Sequence, residues 1–367
     1  MTHRCITWLR ACAAALATTL LLPWAAQAEP YLAVQQGLKC VACHANPTGG
    51  GLRNLAGNVF AQNAMAANRL PAALPAWQGG FFDHRLRLGA DLRASWQRSE
   101  VPTQAQQTQR ELDQLRVYAD LQLVRDHLGL HLDEQLRPGK AVRQEAYVRA
   151  TTADQRWYAK AGQFYLPFGW RLQDSTAFVR SLSGISMTTP DKGWELGLET
   201  DDFSVQFAHS NGPGNVGGTT GHQNTAQAVW LQPGWRVGLG LARTKSSAGD
   251  RNAGTVFGGL QTGPLAWLAE VDLVTDQGFA TGQRRQLAAL GEVNWKLRTG
   301  HNLKFTAELL DPDRAVSNDH KVRHSLVYEL TPWPYVQLRA GFRKNGGIPQ
   351  NNFDNRRSVF LELHAFL

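Results

Sequence analysis

The chain has 367 residues, of which 43% are hydrophobic and 19% charged, with a formal net charge of +8. Past the N-terminal region no stretch approaches 18 consecutive apolar residues, which excludes a helical membrane protein, and the apolar content excludes a disordered chain. The basic excess is spread out, with no basic run interleaved with aromatics, so nucleic acid is excluded as a partner. With 35 Gly, 12 Trp and only 3 Met, the composition suits strands and turns better than a helical bundle.

Residues 1–28 read as a secretory signal. Arg4 and Arg10 supply the positive region, residues 11–25 the apolar stretch, and Ala26-Gln27-Ala28 a small-x-small cleavage site before Glu29. The expected destination is an oxidising compartment outside the cytoplasm.

Of the four cysteines, Cys5 and Cys12 belong to the signal, which leaves Cys40 and Cys43. They lie in Cys40-Val41-Ala42-Cys43-His44, the C-x-x-C-H pattern of c-type haem attachment. Two thiols three residues apart reach both vinyl carbons of one porphyrin, and the adjacent histidine lies under the iron as proximal ligand. A zinc site would need further Cys or paired His close by, and none follows. A disulfide across the motif is possible but gives His44 no role. The expected cofactor is therefore one covalent haem c on Cys40, Cys43 and His44.

After a turn-rich ANPTGGG loop, Leu52, Leu55, Ala56, Val59 and Phe60 recur at helical spacing, which predicts a helix over about 52–67. Its apolar stripe would lie on a porphyrin or pack on protein alone. Met65 is the nearest candidate for the distal iron ligand, His84 the next, and an open site is a third possibility. Pro71 and Pro75 close the segment. Residues 29–80 thus read as a small α-helical haem domain, too short for a substantial core of its own.

From Phe82 the pattern becomes alternating. Leu86, Leu88, Ala90, Leu92, Ala94 and Trp96 interleave with Arg85, Arg87, Gly89, Asp91, Arg93 and Ser95 over more than ten residues. That length fits a tilted membrane strand, apolar outside and polar inside. Sixteen such segments follow between 83 and 367, joined by gaps that are mostly long and tight in turn. The long gaps include 98–110, 166–192, 246–251 and 312–320, and tight ones include Thr200-Asp201 and Gln232-Pro233-Gly234. The fold class predicted is all-β, an antiparallel outer-membrane barrel of about sixteen strands over 81–367, with both ends on the periplasmic side. Trp96, Trp157, Trp194, Trp230, Trp235, Trp267, Trp295 and Trp333, near strand ends, would form interfacial girdles. The last strand, 359–367, carries Phe366 as its penultimate residue.

The stretch from Ala161 to Trp170, AGQFYLPFGW, resembles the GQF-x-x-PFG stretch of phosphate-selective-type porins. Joined to the N-terminal C-x-x-C-H, the layout resembles the outer-membrane cytochrome–porin fusions, which include iron-oxidising monohaem cytochromes. The resemblance implies electron transfer across the outer membrane through a haem held in or under the barrel. Its expected partners are a periplasmic soluble cytochrome or other carrier, an extracellular redox partner or Fe(II), and outer-membrane lipid.

Residues 29–80 would plug the lumen from the periplasmic side, since one haem cannot span an apolar band about 25 Å tall. Arg85, Arg87, Arg93 and Arg116 are candidates to pair with haem propionates. His127 and His131, or Glu362 and His364, are candidate metal or electron-path residues, and Asp311, Asp313 and Asp319 a candidate cation site. No catalytic triad, nucleotide loop or carboxylate pair stands out, so an electron carrier is expected, with an oxidoreductase acting on an external reductant such as Fe(II) as the neighbouring possibility. The alternative is an anion-leaning porin with a haem sensing or gating domain.

Overall fold

The computed structural model describes residues 29–70, 77–212 and 221–367. The signal reading and the two closing prolines, Pro71 and Pro75, lie outside the described residues. Sixteen antiparallel strands form a closed ring. In chain order they are β1 Leu86–Glu100, β2 Gln107–Val124, β3 Leu128–Arg137, β4 Val142–Thr151, β5 Trp157–Phe164, β6 Asp191–Glu199, β7 Phe203–Ser210 and β8 Gly221–Gln232. They continue as β9 Trp235–Ser246, β10 Gly249–Thr262, β11 Leu265–Asp276, β12 Arg284–Arg298, β13 His301–Asp311, β14 Lys321–Trp333, β15 Val336–Gly346 and β16 Arg357–Phe366. Each pairs with its neighbour in sequence, and β16 closes on β1 with Ala365 opposite Leu92.

The alternation sets which way each face points. On β9, Val237, Leu239 and Leu241 are exposed while Arg236 and Thr244 are buried. Leu239 and Leu241 are 59% and 67% exposed, whereas Lys160, Glu195 and Glu270 inside are at most 1% exposed. A sheet with apolar residues outside and charges inside is the reverse of a water-soluble core, and only lipid covers such a belt. Trp157, Trp230, Trp235, Trp267, Trp295 and Trp333 gather at the tight-turn end and are 37–53% exposed there. Trp96 and Trp194 lie toward the other end.

Strand ends shift by one to four residues from the sequence reading along much of the chain, and three differences change the local structure. The first strand begins at Leu86 instead of 83, because Phe82, Asp83 and His84 all take positive φ in a turn after the two-residue strand Gly80–Phe81. Strand β2 is 18 residues long and stands above its neighbours. The connection 246–251, expected to be long, is a tight hairpin in which Ser246 pairs with Gly249.

The long connection from Tyr165 to Pro190 folds into the barrel. It carries the short helix Phe178–Ser183, and its Phe168, Trp170, Val179, Leu182 and Ile185 join the main apolar cluster. Buried acceptors on the wall hold it. The Trp170 and Phe178 N–H groups donate to Glu270 at 3.0 Å and Glu308 at 2.7 Å. Arg180 is ion-paired with Glu270. Gly169, in the PFG stretch, has φ +62°, and a Cβ there would collide with that Arg180–Glu270 pair.

The N-terminal segment lies in the lumen but is not a domain with its own core. Its helices are α1 Pro30–Gln36 and α2 Leu55–Phe60, the latter continued by a π turn over Ala61–Met65. Tyr31 and Val34 are buried in the cluster that the inward loop forms with the wall. About fifty residues cannot bury enough surface alone, so the barrel interior supplies the contacts. Glu29 pairs with Lys304 at 3.0 Å, Tyr31 donates to Glu329 at 3.0 Å and Asn46 to Glu145 at 3.1 Å. Lys39 pairs with Glu199 at 3.2 Å, and Arg236 donates to the carbonyls of Ala33 and Leu38, each at 2.7 Å. The expected single apolar stripe does not hold together. Leu52 is buried and Phe60 lines the cavity described below, whereas Leu55 and Val59 are exposed.

Candidate functional site

The C-x-x-C-H residues form a 3-10 turn over Cys40–Ala42, with the His44 N–H donating to the Cys40 carbonyl at 3.0 Å. Asn54 fastens this turn to the next helix. Its side chain donates to the carbonyls of Val41 at 3.0 Å and Ala42 at 3.2 Å, and accepts from Gly57 N–H at 2.9 Å as the N-cap of α2. The connecting loop turns through Gly49, Gly50 and Gly51, all at positive φ. A Cβ on Gly49 would come within 2.9 Å of the Cys40 Cβ, so only glycine lets the loop pass the thiol.

Cys40 and Cys43 are free, not bridged by a disulfide. Burial pushes both thiols above their ordinary range. His44 is 3% exposed, and its ring makes no hydrogen bond to another side chain among the described residues; the backbone of Gly51 and Leu52 lies against it. Burial first, and Arg53 second, push its pKa down to about 3, so the ring is neutral at pH 7. A neutral imidazole is the form that binds a metal, and a backbone contact at one ring nitrogen leaves the other for the ion.

These groups face one cavity in the lumen, of about 1430 Å³ counting the solvent open to it. Cys40, Cys43, His44, Phe60 and Met65 line it from the N-terminal segment. From the inward loop come Leu166, Phe168, Trp170, Arg171 and Met187, and from the wall Arg236 and Phe257.

The sequence-derived set Cys40, Cys43, His44 and Met65 is thus brought together. Reading the sequence alone missed Met187, a second thioether on the same cavity, 122 residues from Met65 along the chain. His84 does not reach the cavity; it sits in the turn before β1.

The arginines expected to receive propionates are engaged elsewhere. Arg87 pairs with Asp120 at 2.6 Å, Arg93 with Glu362 at 2.8 Å, and Arg116 with Asp133 at 3.3 Å and Tyr165 at 2.9 Å. Arg85 is exposed in a turn. The cavity has other arginines. Arg53, Arg171 and Arg236 line it, and none has a carboxylate partner among the described residues. Arg53 is 3% exposed and makes no side-chain hydrogen bond; its guanidinium lies 4.6 Å over the Phe366 ring. Nη1 of Arg53 and of Arg171 are buried without acceptors. An unpaired buried cation is costly, so these donors suit an anionic group placed in the cavity.

The remaining candidates separate. His131 is buried and stacks on Tyr147 at 4.9 Å, while His127 is exposed in the turn before β3, so the two share no site. Glu362 and His364 are held by Arg93. Asp313 pairs with Arg284 at 3.7 Å, and among the described residues no three His, Cys, Asp or Glu side chains gather as a metal site, so Asp311, Asp313 and Asp319 do not form one.

No family model and no curated protein matches the sequence. Solved structures do match. An anion-selective porin from Comamonas acidovorans aligns at TM-score 0.62 and 11% identity, covering 76% of this chain and 98% of that one. OprB of Pseudomonas putida aligns at TM-score 0.60 and 12% identity, covering 77% and 94%. The outer membrane channel DcaP of Acinetobacter baumannii aligns at 0.57 and 12%, covering 76% and 96%. At such identities the likeness is one of fold. About a quarter of this chain lies outside each alignment. The fold is therefore a porin-like sixteen-stranded barrel of the outer-membrane type, and the likeness is silent on the lumenal C-x-x-C-H segment.

Proposed function

We propose that this protein is an outer-membrane barrel carrying one covalent haem c in its lumen, and that it passes electrons between an extracellular donor or acceptor and a periplasmic carrier. The observation that carries the reading is the buried, neutral His44 ring beside two free cysteines on one lumenal cavity. Bound haem c supplies reversible one-electron chemistry at its iron.

The chain's own residues do the rest. Cys40 and Cys43 would tether the porphyrin and His44 would ligate the iron, its neutral state preserved by burial and by Arg53. Met65 or Met187 would supply a distal thioether. Arg53, Arg171 and Arg236 offer charge-assisted donors to carboxylates of the bound group. Phe60, Leu166, Phe168 and Trp170 give the cavity an apolar lining, and low local polarity would favour the less charged iron state. The inward loop and the N-terminal segment both pack against inward-facing wall residues, where an aqueous channel would otherwise run.

The porin-like fold favours a second reading, an anion-leaning channel whose N-terminal segment gates it, with the unpaired cavity arginines as the anion-selective element. Liposomes separate the two. The first reading requires reduction of an entrapped acceptor by an external reductant without a matching ion leak, and loss of that flux in His44→Ala with the barrel intact. Large conductance with no electron flux, or a purified protein lacking the pyridine-haemochrome spectrum, overturns it.

A further inference from the structure

The outer wall changes character on five adjacent strands at the end carrying the longer loops. On β14, β15, β16, β1 and β2 the outward row ends in His324, Lys344, Arg357, Arg98 and Arg110. Directly below each, two residues along the strand, sits an outward apolar residue of the belt. These are Leu326, Phe342, Val359, Trp96 and Leu112, and all but Trp96 are 38–47% exposed. The five polar residues are exposed.

Strand register places them side by side. His324 is opposite Lys344, and Lys344 is opposite Arg357. Arg98 is opposite Val359, one diagonal step from Arg357, and Arg110 is opposite Trp96, one diagonal step from Arg98. At about 4.8 Å per strand the row is roughly 20 Å wide. Lys344 facing Arg357 is a like-charge cross-strand pair, which destabilises a sheet. No hydrogen bond or ion pair of the Arg98, Arg110, Lys344 or Arg357 side chain relieves it among the described residues. The one acid in the row, Glu100, is opposite Arg357 and lines the same groove, and it accepts from Gln106 at 2.6 Å, which leaves four cations or imidazoles around one carboxylate besides Arg357. His324, Lys344, Arg357 and Arg98 also line a groove with Val101, Pro102 and Gln104 of the first long loop. Asn352 fastens that loop to the last one by donating to Thr103 at 2.7 Å.

We propose that this row is a binding site for a phosphorylated glycolipid headgroup of the outer leaflet. Its phosphates would bridge Arg98, Lys344 and Arg357, and its acyl chains would lie on Val359, Phe342 and Leu326. A bridging phosphate converts the like-charge contact into charge-assisted hydrogen bonds. The apolar belt continuous with the cations selects an amphiphile over free phosphate, and the excess of cations selects an anionic headgroup over a zwitterionic one. The proposal rests on the membrane placement of the barrel and not on the haem, so its failure leaves the redox reading untouched.

The test uses the full-length protein in non-ionic detergent. Binding is followed by native mass spectrometry and apparent Tm with lipid A, with zwitterionic phosphatidylethanolamine, and with inorganic phosphate. Lipid A alone is expected to be retained and to raise the apparent Tm. Arg98→Gln with Lys344→Gln and Arg357→Gln is expected to weaken lipid A binding on the order of 10- to 100-fold. Arg98→Lys with Lys344→Arg and Arg357→Lys should keep it, and Glu100→Gln should tighten it. Heat-modifiable migration reports folding. Should the triple variant not fold, Lys344→Gln and Arg357→Gln singly, which remove a like-charge contact, are each expected to weaken binding several-fold. Equal retention of phosphatidylethanolamine, full competition by inorganic phosphate, or unchanged binding in the neutral variants overturns the proposal.

Discussion

Arg53 and His44 face each other in a single antiparallel bridge, and both side chains are 3% exposed. A buried cation without a carboxylate partner among the described residues therefore sits beside a buried, neutral imidazole. In haem-free protein, obtained with Cys40→Ser and Cys43→Ser, Arg53→Met is expected to raise stability by about 1–3 kcal/mol, because it removes an uncompensated buried charge. In haem-loaded protein the same change is expected to lower the reduction potential, since a nearby cation favours the reduced iron. Opposite signs in the apparent Tm of one form and the potential of the other would show that Arg53 answers to the bound group. A loss of stability in both forms would show that Arg53 is a packing residue.

Asn54 ties the motif turn to α2 from both sides. Asn54→Ala removes an N-cap worth about 0.5–2 kcal/mol and frees the Val41 and Ala42 carbonyls. The expected result is faster hydrogen exchange over residues 40–60 and a lower yield of covalent haem, with the barrel's heat-modifiable migration unchanged. Unaltered exchange at 40–44 would show that the turn holds its shape without the clamp.

Much of this architecture is legible in the sequence because a barrel writes its wall with a period of two. All sixteen strands show as alternating segments, and the C-x-x-C-H spacing picks out three residues, Cys40, Cys43 and His44, that line one cavity. What the alternation cannot carry is pairing across the lumen. Arg87, Arg93 and Arg116 look available as inward arginines, but their partners Asp120, Glu362 and Asp133 are inward carboxylates on adjacent strands, set by register. Met187 and Arg171 lie in a long connection that, read as sequence, is simply a loop. Its inward course is set by Trp170 and Phe178 donating backbone N–H groups to Glu270 and Glu308, acceptors 100 and 130 residues away. The helix stripe at 52–60 divides because Leu52 packs against Tyr118 of the wall while Leu55 and Val59 are left exposed.

Gly169 tests how that loop is held. Its left-handed φ and its contact with the Arg180–Glu270 pair leave no room for a side chain. Gly169→Ala is expected to cost about 1–3 kcal/mol from backbone conformation alone, and more from displacing the pair. The loop should become cleavable by trypsin at Arg171 or Arg180 in folded protein, while the wild type stays intact.

Glu329 tests the anchoring of the N-terminal segment. It is 1% exposed and accepts from Tyr31 at 3.0 Å and Asn302 at 2.9 Å, while Lys304 at 3.2 Å and Arg339 at 3.3 Å share its charge. Glu329→Gln leaves two buried cations to Glu29 and Glu362, and breaking a buried charge network by one partner costs roughly 3–5 kcal/mol. Because Tyr31 and Glu29 belong to the lumenal segment, part of that loss falls on its attachment to the wall. Single-channel recordings in planar bilayers are expected to show larger or more frequent openings than the wild type, with the content of covalent haem proposed at Cys40 and Cys43 unchanged. If conductance stays at the wild-type level while the apparent Tm drops, the charge cluster stabilises the barrel wall and the segment is held by its other contacts, at Asn46, Lys39 and Arg236.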